Sequence, residues 1–190
     1  MKAIWQMWAS EVSELDVSRI IKECELYNPL EAQVGLGEDG SKKEQVRSSI
    51  VRWVDPNDKN SKFITNLLWD YAEAANREAF GVDIRRIYDI QYTIYDSEDD
   101  GHYDWHYDTF WGNQSTWDRK LSITIQLSDS ADYEGGDFLL DPQYEAPNAN
   151  SLRKKGTILV FPSPIRHSVQ KVTKGVRKSL VAWVEGPKWK

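Results

Sequence analysis

The sequence predicts an α+β chain, mainly β: a sandwich or jelly roll with two helices packed outside one sheet. Three observations carry that expectation. Apolar residues recur at helical spacing twice, in the first half of the chain. From Tyr88 onward the apolar period changes to two. Short strand-like runs then follow one another between Gly and Pro turn signals, the mark of a sandwich or jelly roll. At 190 residues the chain can bury a core of its own. It reads as a single domain, 1–190, with 1–85 as a helical and strand support region and 86–190 as the core.

Taken in order, Val17, Ile20, Ile21 and Cys24 mark the first helix. Ser13 stands at its N-cap with Asp16 three residues on, and Pro29 follows its end. Ala32 to Leu36 reads as a short strand, Gly35 to Lys43 as a loop, and Val46 to Val54 as an extended run ending at Asp55-Pro56. Ile64, Leu67, Leu68, Tyr71 and Ala75 make the stripe of a second helix, with Gly81 at its stop. Tyr88, Ile90, Tyr92 and Ile94 alternate with polar neighbours, as do Leu121, Ile123, Ile125 and Leu127. Both runs read as half-buried strands with the apolar side inward. Further strands are expected over Asp137 to Leu140, Thr157 to Phe161, His167 to Val172 and Ser179 to Glu185. Turns are expected at Glu134-Gly135-Gly136, Asp141-Pro142, Lys155-Gly156, Pro162 with Pro164, and Lys174-Gly175, and a loop at Pro147 to Asn150.

Composition narrows the function. A net charge of −6 argues against a nucleic-acid partner, because duplex binding needs Lys and Arg to neutralise phosphates. The one cysteine, Cys24, has no partner for an intramolecular disulfide, which fits a reducing compartment. Met1 to Ser10 lacks the basic start and apolar run of a signal peptide. No run approaches the ~20 apolar residues of a membrane span. A soluble, cytoplasmic protein is the expectation. Nine Trp and nine Tyr are many for this length; core packing accounts for most, and clefts use the rest.

The three histidines carry the chemistry. His102 and His106 lie in Gly101 to Asp108, which contains His-x-Asp twice, and His167 follows much later. Residues two apart on a strand share a face, so a His-x-Asp pair can reach one ion. With a distant His it supplies two imidazoles and one carboxylate to one face of a metal. That leaves positions open, as non-heme Fe(II) requires. If Gly101 to Asp108 is one strand, His102, Asp104, His106 and Asp108 all face one way, and two pairs compete. The acidic run Asp96 to Asp100 and Gly101 look like a turn. That puts His102 at the strand mouth and His106 deeper, which favours His106 with Asp108.

Arg177 and Ser179 are two apart on an expected strand, so both can face inward. An interior Arg is costly unless paired, and a guanidinium grips a carboxylate in bidentate fashion. Tyr95, on the strand before the metal segment, offers a hydroxyl to a second carboxylate.

These stretches together resemble the Fe(II)- and 2-oxoglutarate-dependent dioxygenases, in particular the prolyl-4-hydroxylase-like branch of PKHD-type hydroxylases. The similar segments are Gln91 to Tyr95, Gly101 to Asp108, Leu121 to Gly136, and Phe161-Pro162-Ser163 with His167 and Val172 to Arg177. They fall between about Gln91 and Pro187. The resemblance implies a double-stranded β-helix, a kind of jelly roll. It implies Fe(II) on His106, Asp108 and His167. It implies 2-oxoglutarate held through its distal carboxylate by Arg177, with Ser179 and Tyr95 assisting, and O2 as oxidant. The reaction implied is hydroxylation of a C–H bond through a ferryl intermediate, releasing succinate and carbon dioxide, with an apolar shell around the metal for which Trp183, Ile123 and Ile125 are the candidates.

The substrate is expected to be a peptide, protein or amino-acid-like small molecule. Thr109 to Arg119, with Phe110, Trp111 and Trp117, reads as a loop over the site mouth, so Trp111 and His102 are the substrate-side candidates. Two rival readings remain. One is an oxidative nucleic-acid demethylase, for which Arg153, Lys154 and Lys155 form one basic cluster. The other is a non-catalytic jelly-roll binding module.

Overall fold

The computed structural model describes residues 2–32, 46–109, 111–112 and 114–189. Beyond Ala32, the strand expected to Leu36 lies outside the described residues, as does the loop expected from Gly35 to Lys43.

The elements run β1 (Gln6–Trp8), α1 (Glu14–Cys24), β2 (Leu30–Glu31), β3 (Arg47–Ser48), β4 (Ile50–Val54), α2 (Lys62–Ala75), β5 (Arg86–Asp96), β6 (His102–His106) and β7 (Trp117–Gln126). There follow β8 (Tyr133–Gly135), β9 (Phe138–Leu140), α3 (Ala149–Leu152), β10 (Ile158–Pro162), β11 (His167–Val169) and β12 (Val172–Pro187). The major sheet has the order β1-β10-β7-β12-β5-β4-β2, with β8 on β12, and the minor sheet the order β3-β6-β11-β9. All pairings are antiparallel.

Both helices form where the sequence places them. Ser13 accepts the Asp16 backbone N–H, a cap that contributes about 1 kcal/mol. Val17, Ile20 and Cys24 face inward from α1, and Ile64, Leu68, Ala72 and Ala75 from α2. After α2 a π-helical turn, Asn76–Phe80, ends at Gly81 in the left-handed conformation. The two helices cover the outer face of the major sheet, against Ile90, Tyr92, Leu121, Ile123, Ile125, Leu180 and Ala182. Each fully buried Ile or Leu there contributes about 1.5–3 kcal/mol of transfer free energy.

The other face of the major sheet looks at the minor sheet, and it is polar yet buried. Gln91, Thr93, Ser122, Thr124, Gln126, Arg177 and Ser179 all lie there. This corrects the expectation of half-buried strands: β5 and β7 are covered on both faces. The alternation of β5 also changes phase. A bulge opposite Trp183 and Val184 puts Ile87 in the helix-side core and leaves Tyr88 49% exposed, under the Arg86 guanidinium. Ile123 and Ile125 belong to the helix-side core. They are therefore not part of an apolar shell on the site face; Trp183 is on that face, opposite Ser122.

Two turn expectations are also corrected. Lys174-Gly175 is a bend inside one continuous strand, at which β12 passes from β8 to β5 and β7. Gly175 has φ 72°, and a Cβ there would run into the Asp132 carbonyl oxygen. The Pro147 to Asn150 stretch is not all loop, since the Asn148 side chain caps α3 through the Ser151 N–H. Among the described residues no helix is long and apolar enough to cross a membrane.

Two tests follow from the packing. Gly175→Ala should destabilise the protein by more than about 2 kcal/mol, because it combines a left-handed φ with a backbone clash. An unchanged urea midpoint would contradict a fixed bend. Cys24 is fully buried, and burial with the neighbouring Glu23 and Glu25 carboxylates pushes its thiol up to about 12. A thiol reagent should label it only on unfolding; fast labelling of native protein at pH 8 would show that α1 opens readily.

Candidate metal centre and carboxylate pocket

The site begins with an irregularity in β6. His106 pairs with His167 and Tyr103 with Val169, so three steps on β6 match two on β11. The extra residue is a bulge, and it changes which side chains share a face. Tyr103 and His106 both point between the sheets, Tyr103 stacked on the His106 ring at 3.4 Å and 12°. His102 falls on the opposite side. Its Nδ1 lies 2.6 Å from the Asp100 carbonyl oxygen, beside a cleft of about 340 Å³ lined by Asp104, Leu139, Ser168 and Lys171. The expectation that His102, Asp104 and His106 face one way fails for this reason, and His102 does not reach the site mouth. Asp104 is exposed, and its carboxylate accepts the Trp105 N–H.

His106, Asp108 and His167 converge, with ligand atoms all within 4.8 Å of one another. His106 Nε2 is 3.7 Å from Asp108 Oδ1, and His167 Nε2 is 3.4 Å from Asp108 Oδ2. The Nδ1 atoms lie 2.7 Å from the Asp104 carbonyl for His106 and 2.9 Å from the Ile165 carbonyl for His167. A carbonyl can only accept, so each Nδ1 carries a proton, which leaves each Nε2 as the ring nitrogen that faces Asp108 and can reach a metal. Asp108 follows β6, and its N–H donates to the Ser163 carbonyl. Ser122 Oγ donates to Asp108 Oδ2 at 2.6 Å and lies 3.0 Å from Ser163 Oγ. Trp183 is buried beside this carboxylate; its indole N–H does not meet hydrogen-bond geometry with any described atom, yet lies close enough to Asp108 to help lower the carboxyl pKa.

Four rows cross the site face of β5, β12 and β7. Asp89, Trp183 and Ser122 form the row nearest the histidines. Gln91, Val181 and Thr124 form the second, and Thr93, Ser179 and Gln126 the third. Tyr95 and Arg177 form the fourth. Arg177 is 5% exposed, its guanidinium carbon 5.6 Å from the Tyr95 ring centre and its Nη1 3.4 Å from Ser179 Oγ. Among the described residues no carboxylate forms an ion pair with it. Arg177 is therefore an interior residue, as its inward position on the strand requires.

The family of the chain follows from residues 90–185, which match the model of the 2OG-Fe(II) oxygenase superfamily. The chain belongs to that superfamily. Its curated relatives include a PKHD-type hydroxylase of Synechococcus sp. (strain CC9311), 37% identical over 95 residues, covering 50% of this chain and 41% of the relative. A second, from Prochlorococcus marinus (strain MIT 9515), is 39% identical over 69 residues, 34% of this chain and 28% of the relative. The chain thus matches less than half of these relatives' own length. A Pseudomonas putida prolyl-4-hydroxylase has a similar fold, with a TM-score of 0.71 at 18% identity over 98% of this chain and 94% of that one. The viral collagen prolyl hydroxylase of Paramecium Bursaria Chlorella virus-1 gives 0.70 at 16% identity over 96% of each chain. The two sheets are those of a double-stranded β-helix.

In this oxygenase chain the donor set suits the metal that the family name states. Two imidazole nitrogens and one carboxylate on one face leave positions open, whereas structural zinc closes itself with four ligands. Burial lowers the His106 pKa, and the neighbouring His167 adds to that against the pull of Asp108. Burial alone raises the Asp108 pKa, but the two imidazoles and the Ser122 hydrogen bond outweigh it and hold the carboxyl below its usual range. A neutral imidazole and an ionised carboxylate are the forms that bind a cation.

The oxygenase fold also brings here residues that carry no mark in the sequence. Arg47 Nη2 donates to Gln91 Oε1 at 2.8 Å, and its guanidinium sits 4.5 Å over Tyr103. Arg47, Tyr103 and His106 therefore stack in sequence. No pattern in the chain marks Arg47; only the β3–β6 pairing brings it in. Trp117 begins β7, so the loop expected over Thr109 to Arg119 is shorter, and Trp111 within it is 64% exposed.

Metal titration checks the assignment. His106→Ala and His167→Ala should abolish Mn(II) binding under anaerobic calorimetry, and Ser122→Ala should weaken it about tenfold by freeing Asp108. His102→Ala should leave it unchanged; loss of binding in that variant alone would overturn the choice of pair.

Proposed function

We propose that the protein is an Fe(II)- and 2-oxoglutarate-dependent hydroxylase that acts on a prolyl-type peptide or an amino-acid-like substrate. The observation that carries this reading is Arg177. A buried guanidinium without an anion costs several kcal/mol. It lies on the same inner face as a three-ligand metal site, three rows from the carboxylate partner Ser122. An anionic group reaching from one to the other supplies the missing charge, and 2-oxoglutarate carries a distal carboxylate at the right end.

With Fe(II), 2-oxoglutarate and O2 bound, the chemistry supplied is oxidative: the 2-oxo acid becomes succinate and carbon dioxide, and one oxygen atom enters a substrate C–H bond. The chain's own residues position these reactants. His106 Nε2, His167 Nε2 and Asp108 hold the metal, and Ser122 fixes the rotamer of Asp108. Tyr103, braced by Arg47, fixes the His106 ring. Arg177 and Ser179 bind the distal carboxylate, with Tyr95 packed alongside. The buried Trp183 N–H offers a donor to an oxygen atom at the metal end. The four rows of β5, β12 and β7, closed by the minor sheet, keep bulk water from the reactants.

Trp111, Trp53 and Tyr107 are exposed aromatics, the last next to Asp108 in sequence, and suit an apolar or ring-bearing substrate segment. One relative in fold is a prolyl hydroxylase solved in complex with a hypoxia inducible factor peptide fragment. A nucleic-acid substrate is disfavoured. In the Arg153-Lys154-Lys155 cluster, Arg153 pairs with Asp137 and Lys155 with Glu14 and Asp129. A reducing, intracellular setting is the proposal for where it works.

Purified protein with Fe(II), 2-oxoglutarate and O2 should release succinate slowly without added substrate, and faster with the right member of a peptide, amino-acid and alkylated-nucleotide panel. No succinate above a metal-free control would remove the enzyme reading. Arg177→Gln should raise the 2-oxoglutarate requirement about 10- to 100-fold, the range for a hydrogen-bonded charge, and leave Mn(II) affinity unchanged.

A further inference from the structure

We infer that the Gln126 amide is a third hydrogen-bonding group for the distal carboxylate, held in place by Tyr133, and that it helps select a diacid over a monoacid. This rests on the cosubstrate reading above.

Gln126 is 4% exposed and faces the site from β7, directly opposite Ser179. Directly opposed side chains on antiparallel strands have Cβ atoms about 4.5–5.5 Å apart, and the diagonal neighbour, here Arg177, is still within reach of a long side chain. Tyr133 closes the group. Gln126 Nε2 lies 2.7 Å from Tyr133 Oη. Tyr133 and Arg177 are themselves neighbours, because both flank Gly136. A Cβ at Gly136 would stand 3.1 Å from Arg177 Cδ and 3.3 Å from Tyr133 Cε2. Tyr133 is clamped from outside by Arg153, whose guanidinium lies 4.3 Å over the ring and donates to the Tyr133 and Gly135 carbonyls.

The amide is half satisfied. Gln126 Oε1 is buried with no hydrogen-bond partner. An orphaned amide atom next to a serine hydroxyl and to a guanidinium that meets no carboxylate among the described residues marks a place where a ligand atom belongs. The two ends of a glutamine amide exchange by a half-turn of its last torsion. After that turn Oε1 accepts the Tyr133 O–H, and Nε2 presents its N–H groups where Oε1 stood. A carboxylate oxygen held by Arg177 and Ser179 then takes one of them. Tyr133 serves as a positioning residue: its hydroxyl can donate or accept, so it anchors either end of the amide and leaves the other end to the ligand.

The test is anaerobic calorimetry on Mn(II)-loaded protein with two ligands. One is 2-oxoglutarate. The other is 2-oxopentanoate, which has the same five carbons and a methyl group in place of the distal carboxylate. Gln126→Met keeps the size and removes the hydrogen bonds. It should weaken 2-oxoglutarate roughly tenfold and leave 2-oxopentanoate unchanged. Gln126→Glu sets a second carboxylate against the first and should weaken 2-oxoglutarate further. Tyr133→Phe, the mildest change to the fold, should cost part of the same affinity for 2-oxoglutarate alone, and it keeps the test open if a Gln126 variant fails to fold. Equal 2-oxoglutarate affinity in wild type and Gln126→Met would overturn the inference. So would a loss shared equally by both ligands, since that would mean the amide acts through the fold. A wild-type protein that binds Mn(II) but not 2-oxoglutarate would instead overturn the cosubstrate reading.

Discussion

The pairing of β6 with β11 is the constraint on which the site depends. It sets His106 opposite His167 and, through one extra residue, keeps Tyr103 on the same inner face. Each imidazole then meets a carbonyl two residues back in its own chain, which turns the remaining ring nitrogen inward. Asp108 lies just past the strand, where backbone and serine hydrogen bonds from β7 and the residues after β10 hold its carboxylate between the rings. Without the bulge, strict alternation would send Tyr103 to the face opposite His106.

The second requirement is a polar wall that stays buried. Helices on one face and the minor sheet on the other cover the central strands twice, so every polar group on the inner face must find a partner inside. Many do: Gln91 with Thr93 and Arg47, Ser122 with Asp108, and Gln126 with Tyr133. Those that do not are informative. Among the described residues Arg177 meets no carboxylate, Gln126 Oε1 has no hydrogen-bond partner, and the Trp183 N–H makes no hydrogen bond of normal geometry. Trp183 sits in the row nearest the histidines, and Gln126 and Arg177 in the two farthest rows. Unsatisfied buried groups are expensive, so their placement at both ends describes the polarity of what belongs between them.

Much of this was legible in the chain, and the part that was not has identifiable causes. Ser13, the α2 stripe and Gly81 act as expected because caps and helical stripes are local. The Leu121 to Leu127 alternation marks the helix-side face correctly, since one covered face is enough to produce it. The burial of its other face is not local: Ser, Thr and Gln read as solvent-facing until a second layer covers them. Tyr88 and His102 face otherwise than a strict period of two implies for one kind of cause, a bulge in β5 and a bulge in β6, each of which shifts that period by one residue. Arg47 and Gln126 carried no signal, because an ordinary polar residue on a strand becomes a site residue only through what lies opposite.

Read alone, the chain yields the mainly β class, the two supporting helices, and the residue types of a candidate two-histidine, one-carboxylate centre with an arginine further along. Those are matters of composition and short-range period. The tertiary structure decided which His-x-Asp pair turns inward, which polar residues line the wall, and where Arg177 ends up relative to Asp108. Strand register and bulges set each of these, and both are fixed by long-range hydrogen bonding and by the second sheet.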